Sequence, residues 1–471
     1  MFSRILLAIV LLIPQAFADY ESGEKLYGNG TISLSGYRRT IIELVRGGSY
    51  YSVIPWMKDY LVKSSGPLDG EMDKVFDELV IHTGVKVFET LPESALRKSR
   101  SGNSRYILAK RLIKAGKPEE ALNEIKNVSA DHSAYPFVAH MKGMIHSNLQ
   151  RYSEAEVHFK DCVRISDRLS GKSSYRIQKE QLETNRDYCT AGIARAQFAG
   201  GQYKKAELTY LDISKDSFVW PEILFEEAWT SYYEKNYNRT LGKLVSYKAP
   251  VFNFIFNPEV EVLKGLTYLK MCLYEDAKTT ADTFYNELLN PSKELRSFIL
   301  SHGKDYRYYY GLMADHEAHK AGNVSPMVDH ILRSIKKDAA FIEMKGALSA
   351  AVAEYNQLTK KSSGNMQSNL LKNIKTVLDE YRTIIGAYVR AGMVSKYAEL
   401  YSAFQGMSFI KLEVLAVRKE RLYDTELGPV NGKRGEVKYI KQNDKQYFWT
   451  FNGEFWADEL GDYVFALRSE C

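Results

Sequence analysis

Cysteine is scarce in this sequence: there are four in 471 residues, at Cys162, Cys189, Cys272 and Cys471. Their spacing fits neither a zinc site nor a C-x-x-C redox pair. A strong charge of one sign is lacking too. The 64 basic and 58 acidic residues leave a formal charge of +6, with no dense basic run, so nucleic acid is not an expected partner. Beyond residue 18 no apolar run is long enough to cross a membrane, so the mature chain is expected to have no transmembrane segment. Glycine-rich phosphate loops and the G-x-S-x-G elbow are missing. Strand-like segments are too few for the common nucleotide-binding or hydrolase folds. Neither an enzyme nor a cofactor is expected.

What is present begins with Met1–Ala18, which reads as a secretory signal (1–18). Arg4 is its charged start and Ile5–Ile13 its apolar run, which is short for a bilayer span. Pro14 breaks the run, and Ala16-Phe17-Ala18 offers a cleavage site after Ala18. The signal has a bacterial style, so the expected compartment is the periplasm, with release from the cell as the second choice.

The chain then repeats itself. Gly116–Ile125 (GKPEEALNEI), Gln150–Phe159 (QRYSEAEVHF), Gly201–Tyr210 (GQYKKAELTY) and Cys272–Ala281 (CLYEDAKTTA) share one pattern. Ala121, Ala155, Ala206 and Ala277 occupy the same slot, and Thr240 fills it in a weaker unit. Twelve residues before the slot stand Ala109, Gly143, Ala194, Ala228 and Gly265; four after it stand Ile125, Phe159, Tyr210, Leu244 and the exception, Ala281. Apolar residues at this spacing predict paired helices, starting near 102, 136, 187, 221 and 258. Two of the steps are 34 residues. Period and signature together resemble the tetratricopeptide repeat. That resemblance implies a right-handed stack of helix pairs over 102–290 that binds proteins or peptides.

The expected class is therefore all-α: a solenoid, then a long-helix bundle or hairpin arm, then a small β-hairpin. Residues 19–34 read as a flexible leader and 35–101 as degenerate helical repeats or a cap. The insert Leu169–Arg186 is polar and charged. Asn290-Pro291-Ser292 marks the end of the repeats, and 291–425 reads as three long helices, about 45 Å as an arm at 1.5 Å per residue. Gly392 is expected to end the second of these helices and Gly406 to kink the third. In 426–471, Gln446–Phe451 (QYFWTF), Asn452-Gly453 and Glu454–Gly461 (EFWADELG) predict a β-hairpin whose rings pack on the arm or on a partner. The string Phe448-Trp449, then Gly453-Glu454-Phe455-Trp456-Ala457-Asp458-Glu459-Leu460-Gly461, is similar to one in periplasmic repeat proteins of gliding-motility envelope machinery. It implies a structural subunit of an outer- or inner-membrane complex.

In the repeat frame Cys162 and Cys189 fall on helices that pack together, so a disulfide is conceivable. The simpler reading, preferred here, makes Cys162 a small residue at the helix contact. For metal chemistry the candidate is Asp315-His316-Glu317-Ala318-His319, with His330 or Asp329 as a third ligand, although its histidines are three apart rather than four. Solvated side chains explain it as well, and no metal site is expected.

The expected functional face is the inner groove. The first-helix positions of a repeat that face inward are Tyr106, Lys110 and Lys114; His140, Met144 and Asn148; Tyr188 and Arg195; and Phe225, Trp229, Tyr232 and Tyr233. Rings bury area, and Lys or Arg pairs with carboxylates. The function read from this is a non-enzymatic exported scaffold that binds proteins or peptides. The alternatives are a peptidoglycan or carbohydrate binder using the aromatic fourth unit, and a metal-dependent hydrolase around His316.

Overall fold

The computed structural model describes residues 20, 22–27, 33–173, 176–320, 322, 324–361, 364–423, 451 and 453–471. The signal segment thus lies outside the described residues. The fold is all-α, and among the described residues no helix is long and apolar enough to cross a membrane. Two compact units form, each from two stretches of chain: Met1–Arg151 with Ala339–Ala387, and Tyr152–Asp338 with Tyr388–Cys471.

The first unit holds α1 (Leu34–Arg46), α2 (Ile54–Lys63), α3 (Gly70–Thr83), α4 (Glu93–Leu96), α5 (Gly102–Lys114), α6 (Pro118–Ile125) and α7 (Tyr135–Asn148). It also takes α17 (Ala339–Leu358) and the first part of α18 (Asn365–Tyr423). Helix starts are set by side-chain caps. Ser33, Asp69 and Ser101 each accept from backbone amides in the first turn, which satisfies donors that a helix start leaves unpaired. The core of this unit joins Met57, Phe76, Leu79 and Phe88 to Leu370, Ile374, Val377 and Tyr381 of α18. Within the segment read as a leader, residues 22–27 are helical and Tyr20 and Tyr27 are buried. Tyr27 stacks on Trp56 at 5.3 Å, and the Lys361 ammonium lies 3.6 Å from the Tyr20 ring centre.

The second unit holds α8 (Tyr152–Ser170), α9 (Arg176–Ala199), α10 (Tyr203–Tyr210), α11 (Trp220–Tyr233), α12 (Tyr237–Val245), α13 (Glu259–Lys270), α14 (Tyr274–His302), α15 (Tyr306–Glu317), α16 (Pro326–Lys336) and the rest of α18. Helix α9 begins at Arg176, inside the polar insert, where buried Leu182 continues the packing on α8. A disulfide joins Cys162 to Cys189 across this pair, which corrects the reading of Cys162 as only a small core residue. The slot that brings the two helices close enough for a small side chain also brings two sulfurs within bonding reach.

The first-to-second-helix turns carry a regularity beyond the sequence pattern. Five residues before each small-residue slot the backbone enters the left-handed region: Gly116, Gln150, Gly201, Lys235 and Cys272, at φ from 57° to 77°. The next amide then reaches back to a carbonyl five residues earlier, from Lys117 to Leu112, Arg151 to His146, Gln202 to Gln197, Asn236 to Ser231 and Leu273 to Tyr268. This is the Schellman ending of a helix. The small residues themselves are buried where helices meet: Ala109, Gly143, Ala194, Ala228 and Gly265, and Ala121, Ala155, Ala206, Thr240 and Ala277.

Three expectations for the later chain are corrected. Helix α14 runs straight through Asn290-Pro291-Ser292. An interior proline costs about 3 kcal/mol, but the apolar stripe of Phe284, Leu295 and Ile299 continues across it and stays buried. Helix α18 is one element of 59 residues that neither ends at Gly392 nor breaks at Gly406. Those glycines serve close approach instead. A β-carbon at 392 would meet Ile335 at 2.8 Å, and one at 406 would meet Val262 at 2.7 Å. The β-hairpin is the third. Its first strand lies outside the described residues, and 453–471 run as turns and an extended segment without a strand. The reason is packing. Leu460, Phe455 and Tyr463 join the core of α9–α11, with Ala194, Ala206, Trp220 and Leu224, while Phe451, Phe455 and Tyr463 meet one another at 5.2–6.0 Å.

Candidate functional site

In the first unit the groove residues on α5 converge on a carboxylate that sequence reasoning missed. Lys110 Nζ lies 2.7 Å from Glu89 Oε1 and Lys114 Nζ 3.1 Å from Glu89 Oε2, with Lys86 3.8 Å from the same group. Burial alone would raise the Glu89 pKa, but the hydrogen bond and charge of Lys110, with Lys86 and Lys114, bring it below the usual carboxylate value. Burial, helped by neighbouring lysines, lowers the Lys86 pKa. Near them stands Glu343 of α17, which is open to solvent. Desolvation raises its pKa despite Lys110 and Lys86. Tyr106 is half-buried, and burial with the charges of Glu343 and Glu89 pushes its pKa up to about 12. On α7, His140 is half-buried, while Met144 and Asn148 are exposed.

In the second unit Arg195 is held by a fork. Its Nε lies 2.9 Å from Glu226 Oε2, and its Nη2 lies 2.7 Å from Glu226 Oε1 and 3.0 Å from Glu222 Oε1. The Tyr210 hydroxyl donates to Glu226 at 2.7 Å. Desolvation opposes the charge on Arg195, but these carboxylates outweigh it and raise its pKa. Burial and the charges of Glu222 and Asp338 push Tyr188 up to about 12, and Asp338 accepts from the Tyr388 hydroxyl of α18 at 2.6 Å. Both Lys110 and Arg195 have carboxylates on the same chain, which a first-helix register alone does not reveal.

The rings of the fourth pair form a separate cluster. Trp229 lies 5.5 Å from Tyr232 and 6.0 Å from Tyr233; Tyr233 stacks on Tyr203 at 4.8 Å and meets Phe198 edge-on at 5.3 Å. The Trp229 indole donates to Glu259, which offsets part of the rise that burial gives that carboxyl. Phe225 belongs to the core with Ala228 and Leu244, whereas Tyr233 is 47% exposed. This is a packed aromatic surface in which Tyr233 is the most exposed ring.

The inner faces also meet the chain's own late helices. Val262 and Gly265 of α13 pack on Gly406 and Ile410 of α18, and the Tyr381 hydroxyl of α18 donates to the Thr83 carbonyl at 2.5 Å. Around the candidate metal residues, His316 donates to Asp329 at 3.0 Å, Asp329 pairs with Arg333 at 2.7 Å, and His330 donates to the Ile255 carbonyl at 2.9 Å. Among the described residues no group of three metal-ligating side chains converges. A cavity of about 630 Å³ opens beside α5, but its Arg105 pairs with Glu124 at 2.9 Å and its His132 with Asp77 at 3.0 Å, so those groups already fasten neighbouring helices. No protein-family model matches the chain, and no curated protein matches it.

Proposed function

We propose that the chain is an exported scaffold of tetratricopeptide-like helix pairs that binds protein or peptide segments in the bacterial envelope. The observation that carries this reading is the ring cluster of Trp229, Tyr232 and Tyr233, clamped by Glu259 and by Phe198 and Tyr203, with Tyr233 presented to solvent. Held aromatics lose little conformational freedom on binding and anchor protein partners well. The five equivalent turns support the repeat reading. The two disulfides support export, because such bonds persist in oxidising compartments. The machinery of gliding bacteria is the envelope assembly that the C-terminal string suggests.

A photo-crosslinking residue at Tyr233, introduced in living cells, tests the proposal. A discrete protein adduct is expected, and it should disappear when Trp229→Ala is added. The aromatic cluster also suits a glycan, so the same variant is to be sedimented with purified sacculi. Saturable sedimentation lost with Trp229→Ala, without any protein adduct, would replace the scaffold with the carbohydrate binder.

A further inference from the structure

The last residues of the chain lie as an extended ligand on a strip of the repeats. Leu460 is buried beside Trp220 and Leu224. The Gly461 amide donates to Ser246 Oγ at 2.9 Å. The Tyr463 carbonyl oxygen sits 1.6 Å from where a β-carbon on Gly242 would be, so α12 must have glycine there for the strand of chain to lie down. The Phe465 amide donates to the Asn238 carbonyl at 3.0 Å. The Asn238 side chain then reads both backbone groups of Leu467, accepting from its amide at 2.9 Å and donating to its carbonyl at 3.0 Å. The Glu470 amide donates to the Met271 carbonyl at 2.9 Å, and Cys471 closes a disulfide with Cys272.

This is recognition of main chain by a paired asparagine amide and a glycine gap, with Leu460 and Tyr463 as apolar anchors, and it is how extended peptides are bound. We infer that Asn238, Gly242 and Ser246 with the end of α13 form a receptor strip for an extended polypeptide, that residues 460–471 are its resident ligand, and that the Cys272–Cys471 bond is a reducible latch. The strip is distinct from the inner faces and the ring cluster, so the inference stands or falls independently of the proposed function. Access decides which disulfide opens. Cys471 is exposed, whereas Cys162 and Cys189 are fully buried. A dithiol reductant opens the latch: one thiolate attacks Cys471 Sγ and Cys272 leaves as a thiolate. The second thiol then displaces Cys471 and closes the reductant's own disulfide, so two electrons pass to the two cysteines. The tether keeps the segment at a high effective concentration over the strip, and its loss leaves only the non-covalent contacts.

Hydrogen exchange on the full chain tests both parts. In the oxidised protein, Gly242→Ala is expected to speed exchange at the Phe465 and Leu467 amides at least tenfold while leaving α8 and α9 unchanged. Cys272→Ser with Cys471→Ser, or brief dithiothreitol treatment, is expected to speed it similarly. A labelled synthetic peptide of residues 458–471, carrying serine at its last position, should then bind the double-serine chain and not the same chain with Gly242→Ala. Exchange unchanged by Gly242→Ala, or a peptide that binds both chains alike or neither, overturns the receptor strip. Tail protection that is the same with and without the disulfide overturns the latch.

Discussion

The two units close their helix stacks by different chemistry. All four cysteines lie in the second unit, where one disulfide ties α8 to α9 and another ties the terminus to the α13–α14 corner. That unit also buries Lys243 between Glu227 at 3.0 Å and Glu207 at 3.5 Å. The first unit has no crosslink and relies on a carboxylate. Glu354 of α17 is buried and accepts from the amides of Tyr50, Tyr51 and Ser52 at 2.8–3.0 Å and from the Ser52 hydroxyl at 2.6 Å. Asn373 of α18 adds a bond to the Ser52 carbonyl at 3.1 Å. Repeated small residues determine how neighbouring helices nest but not how the late helices are fastened to them. Each unit adds fastenings of its own: a buried carboxylate holds α17 to the 50–52 turn in the first, and disulfides hold α8 to α9 and Cys471 to Cys272 in the second.

Removing the carboxylate is the most severe way to break the contrast. Glu354→Ala leaves four donors of the first unit buried without an acceptor and is expected to cost about 3–5 kcal/mol. Glu354→Gln keeps one acceptor oxygen and should cost less. Both are read from chemical denaturation followed at Trp56 in the first unit. The group also predicts a pH dependence. Burial raises the Glu354 pKa above its ordinary 4.5 in the folded chain. The folded state therefore holds its proton more tightly, and this contribution is fully present below 4.5 and fades as pH rises through the folded value. Stability of the first unit should decline over that window, and Glu354→Gln should flatten the decline. An unchanged slope would show that other carboxyls govern it.

Opening the buried crosslink comes next in size. Cys162→Ser with Cys189→Ser releases a 27-residue separation, and loop entropy puts the loss at about 3 kcal/mol. Thermal unfolding should fall in the second unit alone, and an equal fall in the first would erase the distinction. The smallest effect concerns close packing. Gly406→Ala drives a β-carbon to 2.7 Å from Val262, for a cost of about 1–2 kcal/mol. Gly311→Ala in α15, which meets nothing within 4 Å, should instead stabilise by about 0.5–1 kcal/mol. A urea midpoint that rises for Gly406→Ala or falls for Gly311→Ala would contradict that residue's assignment.

Much of the helix pairing was legible because it is local. The Ala slots, and Gly116 and Gly201 at the turns, recur within one or a few repeat lengths of about 34 residues, although the slot residue Gly265 has its close contact with the distant Ile410. The glycines of α18 misled because a breaker and a close-contact residue look alike until the partner is known. Gly392 faces Ile335 and Gly406 faces Val262, and the second of these pairings spans more than a hundred residues. Pro291 misled for a related reason, since the stripe that overrides it is a property of the whole helix. Glu89, Glu343, Asp338 and Tyr388 were missed at the candidate site because they lie outside the repeat register that located Lys110 and Arg195. Asn238 and Gly242 left no signal, because what they read is the main chain of a segment more than two hundred residues away.

Cys272 stands in the left-handed slot that glycine fills at 116 and 201, with φ at 57°. A side chain in that conformation costs about 1–2 kcal/mol, so the fifth corner is less comfortable than its glycine counterparts. The strain and the sulfur occupy one residue. Any variant that relaxes this corner by restoring glycine also removes the covalent hold on Cys471, so the sharpness of the bend and the anchorage of residues 460–471 cannot be tuned apart.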